Sequence, residues 1–353
     1  MHLTQDLENL LIAITPLSQS AMQAARERQR TLTKPQGALG RLEDLSIWLA
    51  GVQHTTAPRI QGKTVIVCAA DHGVSAEGVS AYPSAVTAAM VQNFLSGGAA
   101  INAIARVVGA RLWVLDVGVA AELKPHPLLI SSKIRLGTHN FLYQAAMSRD
   151  EAIRAILVGA EVAKHAIDDG ATMLVAGEMG IANTTAASAL TAFYAQTPLE
   201  QAVGRGTGID DLMLQHKRAV IERSLARAGS SSDPLYGLTQ LGGFEIAAMA
   251  GIMLQGAANR VAVLLDGFIA GAAALVACAL APLTRDYLCA THVSVEPGHL
   301  AQLEFLGLEP LFNLNLRLGE GTGATLAIPM LEAAARTLNE MATFESAAVP
   351  EAH

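Results

Sequence analysis

The chain has 353 residues, of which 51% are hydrophobic, 16% are charged and 4% are aromatic. This composition supplies a core large enough for one α/β domain and an appendage, with small residues doing much of the packing. The formal net charge is −7 and the pI is near 5.8, which argues against a nucleic-acid partner or an anionic membrane surface. Because no basic region followed by an apolar run opens the chain, we expect no signal peptide and a cytoplasmic location.

The cysteines and one long apolar segment need separate interpretation. Cys68, Cys278 and Cys289 lie in apolar runs without the spacing of a metal site, so we expect buried free thiols in a reducing compartment. Residues 267–284 carry no charge over 18 positions, a length that a membrane span could also have. The segment is rich in Ala and Gly, contains Pro282 and directly follows a predicted strand. We therefore favour a buried core helix over a membrane helix.

The first 60 residues have the periodicity of helices. Pro16 ends the first helix, and Ser18 is placed to cap the second. A turn over residues 34–43 leads into a third helix, and Lys34 in that turn is expected to be a solvated charge. We expect these helices to pack with the end of the chain in a small helical domain.

From residue 63 onward the pattern changes to strand, loop and helix in repetition. Predicted strands cover residues 64–70, 112–117, 134–140, 172–176, 261–265, 287–293 and 314–318. In each case polar and glycine residues follow the strand, which is the layout of a parallel sheet with a ligand site at its carboxyl edge. The sequence thus predicts an α/β domain over residues 61–332 and a small helical domain from residues 1–60 plus 333–353.

A carboxylate lies among three glycines after the last predicted strand, in the order Gly319-Glu320-Gly321-Thr322-Gly323. Glycine lets the backbone turn through positive φ and approach a ligand closely. The carboxyl end of a strand is also where open α/β sheets hold their ligands. Two interpretations remain: an exposed glycine-rich turn with a solvated Glu320, or a carboxylate inside a functional site.

Two further loops are candidate phosphate sites. Residues 177–185 join a strand to a helix that begins with Asn183, Thr184 and Thr185, and free N–H groups at a helix start favour phosphate. Residues 204–208, Gly-Arg-Gly-Thr-Gly, are a weaker candidate with a purely structural role as the alternative, and the following helix carries the cation of Lys217. Neither loop has a Walker sequence. Together they favour binding of a monophosphate.

Several other chemistries lack their sequence patterns. No two histidines have the helical spacing of a zinc site, so we expect no metal. There is no Gly-x-Ser-x-Gly elbow for an acyl-serine hydrolase. Cys68 and Cys289 lie inside predicted strands, which argues against thiol catalysis. A Rossmann dehydrogenase would need Gly-x-Gly-x-x-Gly after the first strand, where Asp71-His72-Gly73 stands instead.

Taken together, the motifs resemble the nicotinate-nucleotide–dimethylbenzimidazole phosphoribosyltransferase family. The resemblance covers nearly the whole chain in the right order. The motifs that carry it are Lys34-Pro35-x-Gly37, Ala70-Asp71-His72-Gly73-Val74, Glu77-Gly78-Val79, Gly177-Glu178-Met179-Gly180, Gly204-Arg205-Gly206-Thr207-Gly208, Gly242-Gly243-Phe244-Glu245, Asp266-Gly267-Phe268 and Leu318-Gly319-Glu320-Gly321-Thr322-Gly323.

The resemblance implies a Rossmann-like, three-layer parallel sheet with the small helical domain, a homodimer, and no metal or cofactor. The implied reaction is that of nicotinate mononucleotide with 5,6-dimethylbenzimidazole, which gives α-ribazole 5′-phosphate and nicotinate for the nucleotide loop of cobalamin. It implies Glu320 as the general base and Glu178 as a second carboxylate in the site. The implied substrate-binding residues are Gly180, Gly206, Lys217, Asp266 and Ser294 for the nucleotide and Tyr82, Ser84, Met90 and Leu318 for the base.

The chemistry of the residues agrees with this reaction, since a benzimidazole that attacks through one ring nitrogen must lose the proton on the other. A carboxylate in a tight loop can accept it. Two positions depart from the family. Ala182 replaces a glycine and should be tolerable only at negative φ, and Ala89 replaces a glutamine found in many members. The alternatives are therefore another azole or purine acceptor, or a module that binds a mononucleotide without turning it over.

Overall fold

The computed structural model describes residues 2–350 and contains a six-stranded parallel sheet. Its strands are β1 (Gly62–Ala70), β2 (Arg111–Gly118), β3 (Leu129–Ser131), β4 (Ala171–Met179), β5 (Ala262–Leu265) and β6 (Leu288–Ala290). Every neighbouring pair is parallel, in the order β3-β2-β1-β4-β5-β6. This is the doubly wound Rossmann order, whose direction reverses between β1 and β4. The predicted α/β class is confirmed.

Fourteen α-helices accompany the strands within the described residues. They are α1 (His2–Ile12), α2 (Gln19–Thr31), α3 (Arg41–Gln53), α4 (Ala85–Leu95), α5 (Ala100–Val108), α6 (Arg149–Asp168), α7 (Asn183–Tyr194), α8 (Leu199–Ala202), α9 (Asp211–Ala228), α10 (Tyr236–Leu241), α11 (Phe244–Ala258), α12 (Phe268–Leu280), α13 (Pro297–Leu306) and α14 (Thr322–Glu340). Short 3₁₀ turns occupy Gly73–Glu77 and Pro282–Tyr287.

The core lies around the central strands and the helices that pack on them. Residues 65–70 of β1 are fully buried, as expected for a strand with a neighbour on each side and helices on its faces. Most of the apolar segment 267–284 forms helix α12, which is buried over residues 268–277, as predicted for a core helix. None of the helices among residues 2–350 combines the length and the apolar character that a membrane crossing requires.

Helices α6 and α11 approach each other at backbone distance. A methyl group added at Gly159 would overlap the Ala248 carbonyl oxygen, and one added at Gly251 would overlap the Ile156 carbonyl oxygen. The two glycines therefore act as reciprocal contact points between the helices. α11 also packs on β1 and β4, so this contact sets the position of a buried helix against the centre of the sheet.

The predicted strand at residues 134–140 is wrong, because the third strand lies at Leu129–Ser131. Residues 134–138 instead cross the carboxyl ends of β1 and β2. The Ile134 N–H donates to the Val117 carbonyl at 3.0 Å, and the Thr138 N–H donates to the Asp71 carbonyl at 3.0 Å. The backbone N–H groups of this segment thus donate to carbonyl groups at the ends of strands and do not pair with a neighbouring strand.

The last two predicted strands are also partly wrong. The segment 287–293 divides into β6 and a separate strand β7 (His292–Ser294), which pairs with β8 (Phe312–Leu316) in a two-stranded parallel sheet. The division occurs at Thr291, whose carbonyl accepts from the N–H groups that open β8. Leu314 and Leu318 are 59% and 57% exposed, so their alternation does not mark a face of the core.

The N-terminal helices pack against the end of α14. Ser18 caps α2 as predicted, with its hydroxyl 3.3 Å from the Ala21 N–H. Lys34 was expected to be solvated, which is wrong: it is 7% exposed and lies 2.8 Å from the Glu43 carboxylate. The Arg28 guanidinium donates to three carbonyls at the end of the helix, those of residues 338, 339 and 341.

We propose from these contacts that the N- and C-terminal segments form one helical unit. The predicted division at residue 333 falls inside the continuous helix α14, which begins at Thr322. The predicted unit also includes residues 1 and 351–353, which lie outside the described residues.

Substituting Gly159 with alanine should destabilise the protein although alanine is the better helix former. The added methyl group must displace the α11 backbone, and overpacking of this kind costs about 1–3 kcal/mol. Urea unfolding of Gly159→Ala measures the loss in the free energy of unfolding. Glu161→Ala, at an exposed position of the same helix, is the control and should stay within about 0.5 kcal/mol of the unsubstituted protein. Equal stability of the two variants would contradict the close helix contact.

Candidate functional site

A cavity of about 510 Å³ opens beyond the carboxyl ends of β4 and β5. It lies near the reversal of strand order, where doubly wound sheets bind their ligands. Most of the residues predicted for the site line this cavity, namely Tyr82, Met90, Glu178, Gly180, Gly206, Asp266, Ser294, Leu318 and Glu320. Ser84 and Lys217 do not line it. Ser84 is exposed at the start of α4, and Lys217 lies behind a cavity wall.

Glu320 is buried, at 4% exposure, which excludes the interpretation of its loop as an exposed turn. Its φ is 63°, and the glycines on either side, Gly319 and Gly321, have φ values of 84° and 86°. A side chain at Gly177 of β4 would lie 2.5 Å from the Glu320 carbonyl oxygen. The loop therefore lies directly on the sheet. Its backbone is in the left-handed region, which residues other than glycine rarely adopt.

The Glu320 carboxylate reaches the first turn of α5, where the Ile101 N–H donates to it at 3.3 Å. Burial raises the pKa of Glu320 above its ordinary value, and the negative charge of Asp266 adds to the rise. The bond from Ile101 acts in the opposite direction, because it favours the ionised carboxylate.

Glu178 lies inside β4, since that strand continues to Met179 and not only to residue 176 as predicted. Its carboxylate accepts a hydrogen bond from the Asn183 side-chain amide. Burial, together with the charges of Asp266 and Glu245, raises the pKa of Glu178 to about 8. At neutral pH most molecules therefore carry a protonated Glu178 next to the glycine-rich loop.

Asp266 follows β5 and is bonded to that same loop. Its carboxylate oxygens accept from the N–H groups of Gly321 at 3.1 Å and Ala324 at 3.0 Å. Burial raises the pKa of Asp266, whereas His292 and the backbone N–H groups oppose the rise. Three carboxyl groups thus share one end of the cavity, where the charge of Asp266 disfavours ionisation of both Glu178 and Glu320.

The loop at residues 204–208 forms another wall of the cavity. A side chain at Gly206 would lie 2.7 Å from the Thr184 hydroxyl, and the Gly206 N–H donates to the Glu296 carboxylate at 2.8 Å. Behind Thr184, the Lys217 ammonium donates to the Thr184 hydroxyl at 2.8 Å and to the Gly204 carbonyl at 3.3 Å. Burial lowers the pKa of Lys217 to about 8, and Glu296 opposes this shift.

Ala182 has a φ of 75° and is the N-cap residue of α7. The expectation that alanine requires a negative φ here is therefore wrong. The conformation costs about 1 kcal/mol or more, which the surrounding structure must offset. Ala89, the other departure from the family, is exposed on α4 and does not line the cavity.

Several cavity residues were not predicted from the sequence. Glu296 and His292 follow β6 in a polar run that could have indicated them, and burial lowers the pKa of His292. Arg317 alternates with the leucines of the β8 region, and its guanidinium lies 3.4 Å from the Gly206 carbonyl. Phe268, two residues after Asp266, also lines the cavity.

No group of three or more His, Cys, Asp or Glu side chains among residues 2–350 is placed to hold a metal ion. The cysteines are free thiols as expected. Cys68 and Cys289 are buried, whereas Cys278 is partly exposed.

Glu178→Gln should alter how stability depends on pH. Glu178 titrates near pH 4.5 when unfolded and at about 8 when folded, so the folded protein binds the extra proton between these values. Its contribution to stability is then lost as pH rises through this window, at up to about 1.4 kcal/mol per pH unit. Glutamine cannot ionise, so the variant should gain stability relative to the unsubstituted protein from pH 5 to pH 8.

Chemical unfolding at pH 5, 6, 7 and 8 measures this difference. Glu304→Gln, at an exposed position on α13, is the control and should follow the unsubstituted protein at every pH. Parallel curves for Glu178→Gln and the unsubstituted protein would contradict the raised pKa.

Residues 14–349 match a family model described as phosphoribosyltransferase. The chain is 54% identical over 350 residues to a nicotinate-nucleotide–dimethylbenzimidazole phosphoribosyltransferase of Deinococcus radiodurans, covering 98% of this chain and 96% of the relative. A relative of the same name from Chloroflexus aurantiacus is 53% identical over 346 residues, with 98% and 99% covered. The crystal structure of the enzyme of that name from Thermus thermophilus superimposes with a TM-score of 0.91 at 49% identity, covering 95% of this chain and all of that one. The chain therefore belongs to the nicotinate-nucleotide–dimethylbenzimidazole phosphoribosyltransferase family.

Proposed function

We propose that the protein transfers the phosphoribosyl group of nicotinate mononucleotide to 5,6-dimethylbenzimidazole. The products are nicotinate and α-ribazole 5′-phosphate, the nucleotide that cobalamin carries as its lower ligand. The substrates are taken from the names of the relatives, whose sequences are more than 50% identical to this chain over almost its whole length. The observation that carries the mechanism is the buried Glu320, which lines the same cavity as the loop backed by Lys217.

The phosphate of the nucleotide is proposed to lie at the start of α7, between Gly180 and Gly206. The helix start offers N–H groups and the positive end of the helix, and α7 has no side-chain cap of its own. Gly206 has no side chain to block the approach to the Thr184 hydroxyl. Lys217 supplies a positive charge directly behind that hydroxyl, and Ser294 also lines the cavity.

The reacting base is proposed to lie against the apolar side of the cavity. Tyr82, Met90 and Leu318 line it there, and they suit a flat aromatic acceptor. One ring nitrogen of the base attacks the ribose carbon that bears nicotinate. The bond to the nicotinate nitrogen breaks, and its electron pair stays on the pyridine ring. Nicotinate is a stable neutral heterocycle at that nitrogen, so its departure requires no proton.

The proton on the second ring nitrogen passes to Glu320. Without this transfer the product would carry a positive charge on the benzimidazole ring. Burial makes the Glu320 carboxylate a better proton acceptor by raising its pKa, and the Ile101 N–H keeps the ionised form available. Glu178 is mostly protonated at neutral pH and therefore serves as a hydrogen-bond donor in the site rather than as the base.

We also propose that the protein acts in the cytoplasm as a homodimer. β8 has β7 as its one strand neighbour in the described part of the chain, which leaves its other edge open. Leu314 within β8 and Leu318 just after it are exposed. A second copy would cover this edge and these side chains, as buried dimer surfaces do. Light scattering on the purified protein tests the proposal, and a monomer at micromolar concentration would contradict it.

The reaction itself is tested by incubating the protein with both substrates and measuring nicotinate release. Nicotinate should appear in equal amount to α-ribazole 5′-phosphate, and only when the base is present. Nicotinate mononucleotide that is bound but never consumed would identify a binding module instead. Turnover with a purine or another azole, but not with dimethylbenzimidazole, would assign a different acceptor.

Glu320→Gln should reduce kcat at least about 100-fold, because the amide keeps the size of the side chain but cannot accept the proton. The KM for the nucleotide should change little, since the proposed phosphate site is elsewhere in the cavity. Steady-state kinetics with both substrates measures the two effects. Glu304→Gln is again the control, and both variants need unfolding curves that confirm a native fold. Near-normal kcat in Glu320→Gln would remove its role as base and leave Glu178 as the candidate.

Lys217→Met should raise the KM for the nucleotide at least about 10-fold, because it removes the positive charge behind the Thr184 hydroxyl, and one charge acting on phosphate across that hydroxyl contributes about 1.5–3 kcal/mol at an effective dielectric constant of about 20. The KM for the base should change less than about 3-fold. In the unsubstituted protein, kcat/KM for the nucleotide should also fall above about pH 8, where Lys217 loses its charge. Lys164→Met, at an exposed position on α6, is the control. An equal rise in both KM values would remove Lys217 from the phosphate site.

A further inference from the structure

The side chain of Asp266, which follows β5, caps the N-terminus of α14, a helix that is distant from it along the chain. The N-cap residue of α14 is Gly321, which has no side chain to accept the free N–H groups of the first turn. Asp266 accepts two of these groups, Gly321 N–H with one carboxylate oxygen and Ala324 N–H with the other. At 3% exposure it has little contact with solvent. Its side chain therefore fastens the glycine-rich loop to the end of β5.

The loop needs such an attachment because its own backbone conformation is unfavourable. Glu320 is a non-glycine residue in the left-handed region, between two residues that also have positive φ. A residue of this kind persists only where its surroundings hold it in place. On one side the loop rests on the backbone at Gly177. On the other side, the two bonds to Asp266 begin at Gly321, immediately after Glu320.

Asp266 also acts on the carboxyl groups that face it. Its charge raises the pKa of Glu320 and of Glu178. The buried His292 is the basic side chain that opposes the rise in the pKa of Asp266. Removing the charge should therefore lower the pKa of Glu320. A loop that loosens and admits water should lower it further, because burial is the main cause of the rise.

We propose that Asp266 is a positioning residue for the proton transfer, acting through the loop that carries Glu320 rather than as a ligand of the nucleotide. The inference rests on the proposed role of Glu320 as the base. It departs from the role that the family resemblance implies for Asp266. The N–H groups of Gly321 and Ala324 donate to the Asp266 carboxylate and hold the backbone that follows Glu320. The Ile101 N–H donates to the Glu320 carboxylate and holds its side chain.

Asp266→Asn is the direct test, because asparagine keeps the size of the side chain but turns an NH₂ group toward one of the two loop N–H groups. The kcat should fall at least about 10-fold, and the KM for the nucleotide should stay within about 3-fold. The acidic limb of the pH–rate profile should move to lower pH. If the nucleotide KM instead rises about 10-fold or more while kcat is unchanged, Asp266 is a nucleotide ligand and the proposal is overturned.

A double-mutant cycle with Glu320→Gln shows whether Asp266 acts through Glu320. If it does, adding Asp266→Asn to Glu320→Gln should lower kcat by less than about 3-fold further. Effects that multiply in the double variant would show independent action and overturn the proposal. Asp266→Glu separates geometry from charge: it should lower kcat, because the oxygens are displaced, but should move the acidic limb less than Asp266→Asn does, because the charge is kept. An acidic limb that moves equally in Asp266→Glu and Asp266→Asn would contradict this assignment.

Backbone hydrogen exchange gives a measurement that does not depend on turnover. The amides of Gly321 and Ala324 should exchange at least about 10-fold faster in Asp266→Asn, while the amides of β1 stay protected. Unchanged exchange at both amides would overturn the attachment of the loop. Near-normal kcat in Glu320→Gln would instead refute the proposed base, and the exchange result would still decide whether Asp266 holds the loop.

Discussion

The close contact between the glycine-rich loop and strand β4 determines the rest of the site. Gly177 leaves no side chain between the strand and the Glu320 carbonyl, and a side chain at Gly319 would overlap the Glu178 carboxylate. Because the loop comes so near, Glu178, Asp266 and Glu320 are brought together away from water. Desolvation raises all three pKa values, and the charge of Asp266 adds to the rise at Glu178 and Glu320. The raised pKa that makes Glu320 a proton acceptor thus depends on the packing of the backbone as well as on the carboxylate itself.

Most of the sheet could be predicted because buried parallel strands are continuous apolar runs. The strands near residues 64–70, 172–176 and 261–265 lie where the sequence placed them, since each has neighbours on both edges. Prediction failed where local pattern and tertiary contacts disagree. Residues 134–140 have strand-like composition, but their backbone bonds go to strand ends. The alternation of Leu314, Leu316 and Leu318 imitates a core strand, although Leu314 and Leu318 are exposed.

The candidate site was partly predictable for a related reason. In a parallel sheet the residues near the carboxyl ends of neighbouring strands meet at one edge, so Glu178 and Asp266 could be placed together from their positions. Glu320 follows β8, which lies in the separate two-stranded sheet, so its place beside them was implied only by the family resemblance. Their partners could not be found in this way. Asp266 bonds to groups 55 and 58 residues away, and Lys217 reaches Thr184 from behind the cavity wall. The positive φ of Ala182 was equally hidden, because sequence shows the residue type but not the conformation that packing imposes.

Transfer of the acceptor's proton to Glu320 is the central claim, and an acceptor without that proton tests it most directly. In 1,5,6-trimethylbenzimidazole a methyl group replaces the proton on one ring nitrogen, so attack through the other nitrogen leaves nothing for a base to remove. The ratio of kcat between the unsubstituted protein and Glu320→Gln should then fall from at least about 100 with dimethylbenzimidazole to near 1. The same ratio with both acceptors would contradict the assignment of Glu320 as the base.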